Sequence, residues 1–92
     1  MQKITYFYLT NCPYCINANK AIDELKAENP AYGEIEIDRI EESKEPEIAD
    51  RYDYYHVPTM YFGEEKQYEA NPSQDYAAIK EEVRRVFDLA LA

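Results

Sequence analysis

The only two cysteines of the chain stand two residues apart, in the stretch "TNCPYCINANK" at residues 10–20. The preceding "KITYFYL", residues 3–9, is rich in aromatic and β-branched residues and predicts a buried strand. Pro13 suits the first position of a helix, where its missing N–H group costs nothing. Cys12 is then the cap, and an apolar helical stripe follows, made of Cys15, Ala18, Ile22 and Leu25. The sequence therefore places the cysteines where a strand passes into a helix, with Cys12 accessible and Cys15 partly buried.

This placement suits thiol–disulfide exchange, in which a thiolate attacks a disulfide and a second thiol releases the product. Backbone N–H groups and the helix dipole at a helix N-terminus favour the ionised form of a thiol. Cys15 lies nearly one turn further on the same side. We therefore expect Cys12 to be the nucleophile and Cys15 the resolving thiol.

Two other uses of the cysteines remain open from the residues alone. A permanent disulfide would close a very short loop and stabilise the fold little. A metal site would have at most three side-chain ligands, because His56 is the single histidine, and this is one fewer than a closed zinc site uses. The spacing favours redox chemistry, with no metal ligands, over either alternative.

The rest of the chain predicts the order β-α-β-α-β-β-α within one domain, residues 1–92. A proline and a glycine in residues 28–33 end the first helix, and "EIEID" at residues 34–38 alternates as a strand with one solvent-facing side or an exposed edge strand does. A short helix is expected over residues 43–53, with Ser43 and Pro46 as its start signals, and strands over residues 57–63 and 66–70. The last helix is expected to follow an Asn71 cap. Its inward stripe is Tyr76, Ile79, Val83, Val86 and Ala90. A right-handed parallel crossover followed by a hairpin gives a four-stranded mixed sheet with helices on both faces.

With these motifs in place, the chain resembles the thioredoxin-fold redox proteins, and its size and element order are similar to those of glutaredoxins. "CPYC" at residues 12–15 is the glutaredoxin form of the active-site motif. "EIADRYDYYHVPTMYF" at residues 47–62 resembles the thioredoxin segment that leads into a cis-proline. The resemblance implies an α/β, thioredoxin-like fold and an enzyme that reduces protein or small-molecule disulfides through a Cys12–Cys15 disulfide, with no other cofactor.

The resemblance also implies a substrate site around the cysteines. It would include Pro13 and Tyr14 of the motif, with Tyr14 flanking the substrate. A cis bond between Val57 and Pro58 would leave the backbone groups of Val57 free to pair with an extended substrate, and Thr59 would begin the next strand.

Several residues depart from the pattern of glutathione-binding members of the family. Leu9 stands where they carry a lysine, and residues 68–75, "YEANPSQD", lack their glycine pair. Glu69 adds negative charge there, so weak glutathione binding is expected. Tyr6 stands where thioredoxins carry a buried acid. The alternatives to a general oxidoreductase are a glutathione-dependent glutaredoxin and a non-enzymatic redox or cluster-binding module.

The charge balance of 10 basic against 19 acidic residues gives a net charge of −9. Phosphates would be repelled, which argues against nucleic acid and anionic membranes as partners. The first strand is too short for the core of a signal peptide, so a cytoplasmic protein is expected. The expected partners are protein disulfides and a reductase or small thiol, with the protein a monomer or weak dimer.

Overall fold

The computed structural model describes residues 1–92, and its main elements follow the expected order β-α-β-α-β-β-α. They are β1 (Ile4–Tyr8), α1 (Pro13–Glu28), β2 (Ile37–Glu41), α2 (Pro46–Ala49), β3 (Thr59–Phe62), β4 (Glu65–Glu69) and α3 (Tyr76–Leu91). One 3₁₀ segment, Pro30–Glu34, lies between α1 and β2. No helix combines the length and the apolar composition needed to cross a bilayer.

The four strands form one mixed sheet in the order β2-β1-β3-β4. β1 runs parallel to β2, with Ile4 opposite Ile37, and antiparallel to β3, with Tyr6 opposite Met60. β3 and β4 form the hairpin, whose turn contains Gly63 at a positive φ of 56°. The sheet confirms the expected fold class, and it places the end of the central strand β1 directly before the cysteine motif.

Helices cover both faces of the sheet, as the sequence predicted. Alternate residues of β1 point to opposite faces. Ile4 and Tyr6 join the larger core with α1 and α3, whereas Phe7 joins Ile40 and Tyr61 in a smaller cluster under α2. The predicted stripe of α1 is confirmed, because all four of its members are fully buried. These are Cys15, Ala18, Ile22 and Leu25.

The second strand lies further along the chain than the sequence indicated. Residues 30–34 form the 3₁₀ segment, which is capped by the Asn29 side chain through a hydrogen bond from the N–H of Ala31. β2 begins only at Ile37 and continues through Ile40, which lies opposite Phe7. An edge strand tolerates charged residues, and the exposed residues Asp38 and Arg39 interrupt the apolar pattern of this one. The sequence pattern therefore did not indicate a strand beyond residue 38.

Two helix boundaries also differ from the expectation. α2 is a single turn, and Ser43 does not cap it, because the backbone N–H and the hydroxyl of Ser43 donate to the Glu41 carboxylate. α3 begins at Tyr76, and its cap is Asp75, whose Oδ1 accepts from the N–H of Ala78 at 2.9 Å. Asn71 instead closes a local turn, in which its Oδ1 accepts from the N–H of Ser73 at 3.0 Å. Asn and Asp side chains suit both roles, so the sequence alone did not distinguish the turn from the cap.

Candidate redox site

Cys12 is the N-cap of α1, with extended backbone angles of φ −85° and ψ 123°. Its Sγ accepts a hydrogen bond from the N–H of Cys15, with 3.4 Å between nitrogen and sulfur. Its carbonyl oxygen accepts the first helical bond from the N–H of Ile16 at 2.9 Å. Cys12 is half-buried and lines a surface cavity. The helix therefore presents an accessible sulfur to which a backbone donor is already directed.

Cys15 has the opposite environment. It is fully buried and, like Cys12, is a free thiol. Its Sγ accepts from the N–H of Leu9 at 3.4 Å. Burial raises the pKa of Cys15 to about 12, with a further contribution from Cys12, and the bond from Leu9 only partly opposes this. Cys15 is therefore a protonated, protected thiol within one helical turn of Cys12.

The loop before β3 brings a backbone segment against Cys12. The peptide bond between Val57 and Pro58 is cis, as expected. The Sγ of Cys12 donates to the carbonyl oxygen of Val57, with 3.8 Å between sulfur and oxygen. The N–H of Val57 has no partner within the chain, while the carbonyl of Pro58 accepts from the N–H of Ala70 at 2.9 Å. The fold thus brings Cys12, Cys15 and Val57 together and leaves one backbone donor free beside them.

The other residues expected at the substrate site differ from one another in exposure and in hydrogen bonding. Pro13 is exposed at the first position of α1. Tyr14 is half-buried, and its hydroxyl donates to the carbonyl oxygen of Pro72, so the ring bridges α1 and the turn before α3. Thr59 is fully buried, and its hydroxyl donates to the carbonyl oxygen of His56. The side chains of Tyr14 and Thr59 therefore form hydrogen bonds within the protein.

A neutral hydroxyl lies in the core beneath the cysteines. Tyr6 is fully buried, and its hydroxyl donates to Oδ1 of Asn19 at 2.8 Å. Burial raises the pKa of Tyr6, and the adjacent Cys15 adds to the shift. Tyr6 is thus a buried hydroxyl that stays protonated beneath the cysteines. Asn19 was missed as its partner, because it lies off the apolar stripe of α1 and no pattern connects it to β1.

Glu69 holds the loop that leads to Val57. Its Oε2 accepts from the N–H groups of both Tyr55 and His56 at 2.9 Å, and its Oε1 pairs with Nζ of Lys66 at 2.6 Å. Burial opposes ionisation of Glu69, but Lys66 and the two backbone donors outweigh it, so the pKa lies below its usual value. The sequence indicated only a negative charge at Glu69. Its role depends on a contact across the fold that no local signal reveals.

A second carboxylate, Glu41, lies beside the same cavity as Cys12. The two residues line this cavity of about 330 Å³ together with Thr10 and Ser43. Hydrogen bonds from the hydroxyl and the backbone N–H of Ser43 lower the pKa of Glu41. No three His, Cys, Asp or Glu side chains are grouped closely enough to hold a metal ion. The arrangement around Cys12 is thus one of two thiols, backbone donors and separated carboxylates, which suits disulfide exchange.

Comparisons with known proteins identify a family and a fold. The family model described as Glutaredoxin matches residues 4–66. No curated protein sequence gives a significant match. Thioredoxin 1 from the thermophilic eubacterium Thermosipho africanus TCF52B superposes with a TM-score of 0.60 at 17% identity, over 98% of this chain and 99% of that one. A structure described as a malarial protein gives 0.60 at 15% identity, over 89% and 92% of the two chains.

The zinc-bound form of human ERp44 also matches, with a TM-score of 0.58 at 20% identity. The match covers 92% of this chain but only 27% of ERp44. At these identities the structural matches establish the thioredoxin-like fold.

Proposed function

The chain belongs to the glutaredoxin family of redox proteins, and we propose that it is an enzyme, a thiol–disulfide oxidoreductase that reduces protein or small-molecule disulfides. The observation that carries the proposal is the pairing of an accessible Cys12, whose sulfur accepts the N–H of Cys15, with a buried Cys15 on the same helical turn. An attacking thiol must be reachable and stabilised as a thiolate, and a resolving thiol must be close and protected.

The proposed reaction proceeds in two exchanges. The Cys12 thiolate attacks one sulfur of the client disulfide, forming a mixed disulfide, and the other client sulfur leaves as a thiolate that takes up a proton. Cys15 then loses its proton and attacks the Cys12 sulfur, which releases the second client thiol. The client disulfide gains two electrons, and Cys12 and Cys15 become a disulfide. A dithiol protein or a small thiol reduces that disulfide and completes the cycle.

Val57 is the residue we propose to bind the client backbone. Its N–H is unpartnered and its carbonyl oxygen lies at Cys12, so an extended client segment can pair with both groups as an added strand. Pro13 and Tyr14 would flank the bound segment from α1. Pro58 and Thr59 are both buried, so we assign them the role of positioning Val57 rather than touching the client.

The electron donor decides between the two forms of the proposal. Reduction of an insulin-type disulfide with thioredoxin reductase supports a general oxidoreductase, whereas glutathione-driven reduction of a small mixed disulfide supports a glutathione-dependent one. We propose to test both donors on one preparation of the reduced protein. Turnover with either donor supports the proposed function, which in a reducing cytoplasm would contribute to electron transfer and redox homeostasis.

Failure with both donors would contradict the proposal if the reduced protein also fails to react stoichiometrically with a model disulfide. Visible absorbance from iron and sulfide after anaerobic purification would favour a cluster-binding module instead.

A further inference from the structure

A groove beside Cys12 combines tyrosine rings with carboxylates, and we propose that it binds a lysine or arginine side chain of the client, adjacent to the client's reacting disulfide. The preferred substrates are then protein or peptide disulfides with a basic residue next to the cysteine. This inference rests on the proposed function, because it names the substrate class of the same dithiol.

The groove is placed to meet a client held on Cys12. It encloses about 360 Å³ between the end of β1 and the loop before β3, where Leu9 and Val57 both line it. The carbonyl oxygen of Val57 is 3.8 Å from Sγ of Cys12. A client cysteine joined to Cys12 therefore lies at the mouth of the groove, within reach of one neighbouring side chain. The volume is near the lower end of the range for ligand pockets, about 300–1,000 Å³, which suits a side chain.

Aromatic rings form one side of the groove. Tyr52 and Tyr54 line it, and both rings rest on the buried Phe7, with centroid separations of 4.7 Å and 5.0 Å. Tyr55 stands at the rim with 86% of its surface exposed. Tyrosine faces attract ammonium and guanidinium groups, and the apolar stems of lysine and arginine pack on such rings.

The charges of the groove have one sign. Glu42 and Asp50 are the only charged residues that line it, and neither forms an ion pair within the chain. The hydroxyl of Tyr54 donates to Oε1 of Glu42 at 2.8 Å, which fixes that carboxylate at the tyrosine edge. Burial and the neighbouring Glu42 raise the pKa of Tyr54, so its hydroxyl stays a neutral donor.

These groups select a cation over the other possible occupants. An anionic ligand such as glutathione disulfide would bring carboxylates towards Glu42 and Asp50, which like charges oppose. A neutral apolar side chain would contact the rings but leave both carboxylates unpaired. The net charge of −9 also attracts basic clients from a distance.

The test uses three disulfide-bonded peptides that differ only in the residue beside the cysteine, which is lysine, methionine or glutamate. The reduced protein, freed of reductant, is mixed with each peptide in a single turnover. The peptide disulfide takes two electrons and becomes two thiols, while Cys12 and Cys15 become a disulfide. We expect the lysine peptide to react about tenfold faster than the glutamate peptide, and this ratio to fall at high salt.

The matched variants separate the groove from the general charge of the protein. In Glu42→Gln/Asp50→Asn the lysine-to-glutamate ratio should fall towards one, while the amide oxygen introduced at position 42 can still accept from Tyr54. Glu34→Gln/Glu36→Gln removes the same two charges from exposed positions that do not line the groove, so its ratio should stay near that of the unmodified protein. Each ratio compares two peptides with the same variant. A partial loss of folded protein lowers both rates equally and leaves their ratio unchanged.

Four outcomes would overturn the inference. Equal rates for the lysine and glutamate peptides would do so while leaving the proposed function intact. A lysine-to-glutamate ratio that is unchanged in Glu42→Gln/Asp50→Asn would show that the groove does not select the charge of the client side chain. A ratio that falls equally in the control variant would show the same. If none of the peptides oxidises the protein, the proposed function fails and the inference fails with it.

Discussion

The backbone N–H of Cys15 donates to the sulfur of Cys12, with 3.4 Å between the two atoms. The same helical turn buries the sulfur of Cys15 against the end of β1, where it accepts the N–H of Leu9. One turn of α1 therefore gives two thiols of opposite character, one reachable and one protected. The two should respond differently to substitution, to alkylation and to pH.

Replacing each cysteine by serine should give two different defects. Cys12→Ser should reduce disulfide exchange to the uncatalysed background, because it removes the reachable nucleophile. Cys15→Ser should still attack the client but accumulate a mixed disulfide on Cys12, because the resolving thiol is missing. Intact-mass spectrometry before and after treatment with dithiothreitol detects this adduct. Full turnover by Cys15→Ser on dithiol substrates would contradict the assignment of Cys15.

Alkylation of the reduced protein should modify one cysteine. At about pH 8 iodoacetamide should label Cys12 and leave Cys15 unmodified, because thiolates react and Cys15 is both buried and protonated. Peptide mapping by mass spectrometry identifies the labelled residue, and the denatured protein, in which both cysteines react, is the control. Equal labelling of both cysteines in the folded protein would show that Cys15 is not protected.

The reduced protein should lose stability at alkaline pH. The pKa of Cys15 rises from an ordinary 9.0 to about 12 on folding, so between these values the folded state holds a proton that the unfolded chain releases. This stabilising contribution is complete below about pH 9 and is lost as the pH rises towards 12. Urea denaturation with a reductant present should show a shallower alkaline decline for Cys15→Ala than for the unmodified protein, and identical slopes would contradict this reasoning.

Tyr6→Phe should lower the free energy of unfolding but leave disulfide exchange largely unchanged. The change leaves the Oδ1 of Asn19 without the hydroxyl that donates to it at 2.8 Å, which should cost about 0.5–1.5 kcal/mol of the free energy of unfolding. The pH profile of disulfide exchange should keep its shape between neutral and mildly alkaline pH, because Tyr6 stays protonated there. Asn19→Ala is the matched variant, and a displaced pH profile in Tyr6→Phe alone would instead indicate a role for its hydroxyl in proton transfer.

Glu69→Ala should weaken substrate binding through the loop that carries Val57. It removes the acceptor of the N–H groups of Tyr55 and His56, and we expect the free energy of unfolding to fall by about 1 kcal/mol. KM for a peptide disulfide should rise more than kcat falls, because the loop binds the client while the thiols are unchanged.

Glu69→Gln provides the control, since its amide oxygen can still accept from that loop, and KM should largely recover. The lowered pKa of Glu69 predicts that the carboxylate's contribution to stability is present above its ordinary pKa of 4.5 and is lost as the pH falls below it. A KM rise of equal size in both variants would point to charge rather than loop position.

The parts of the fold that sequence predicts well are those with strong local signals. Pro13 after Cys12 marks the start of α1, and the apolar stripe of that helix is unambiguous. β2 was misplaced because this strand is defined by its pairing with β1. Ile40 lies opposite Phe7 across the sheet, and the local sequence does not show this contact. The hydrogen-bonding roles of Glu42 and Glu69 could not be predicted for the same reason, since the tyrosine hydroxyl and the backbone N–H groups that define these roles lie 12 to 14 residues away.

The strand order places β2 and β4 at the two outer edges of the sheet. An uncovered edge can recruit a strand from a neighbouring molecule and begin aggregation, and charged side chains along it discourage this. Asp38 and Arg39 on β2, and Glu65 and Lys66 on β4, supply such charges, and all four are exposed. The charges on both edge strands should therefore oppose growth into larger β-assemblies. We expect the protein to stay in solution when it is concentrated. Substituting valine for these charged residues should promote precipitation.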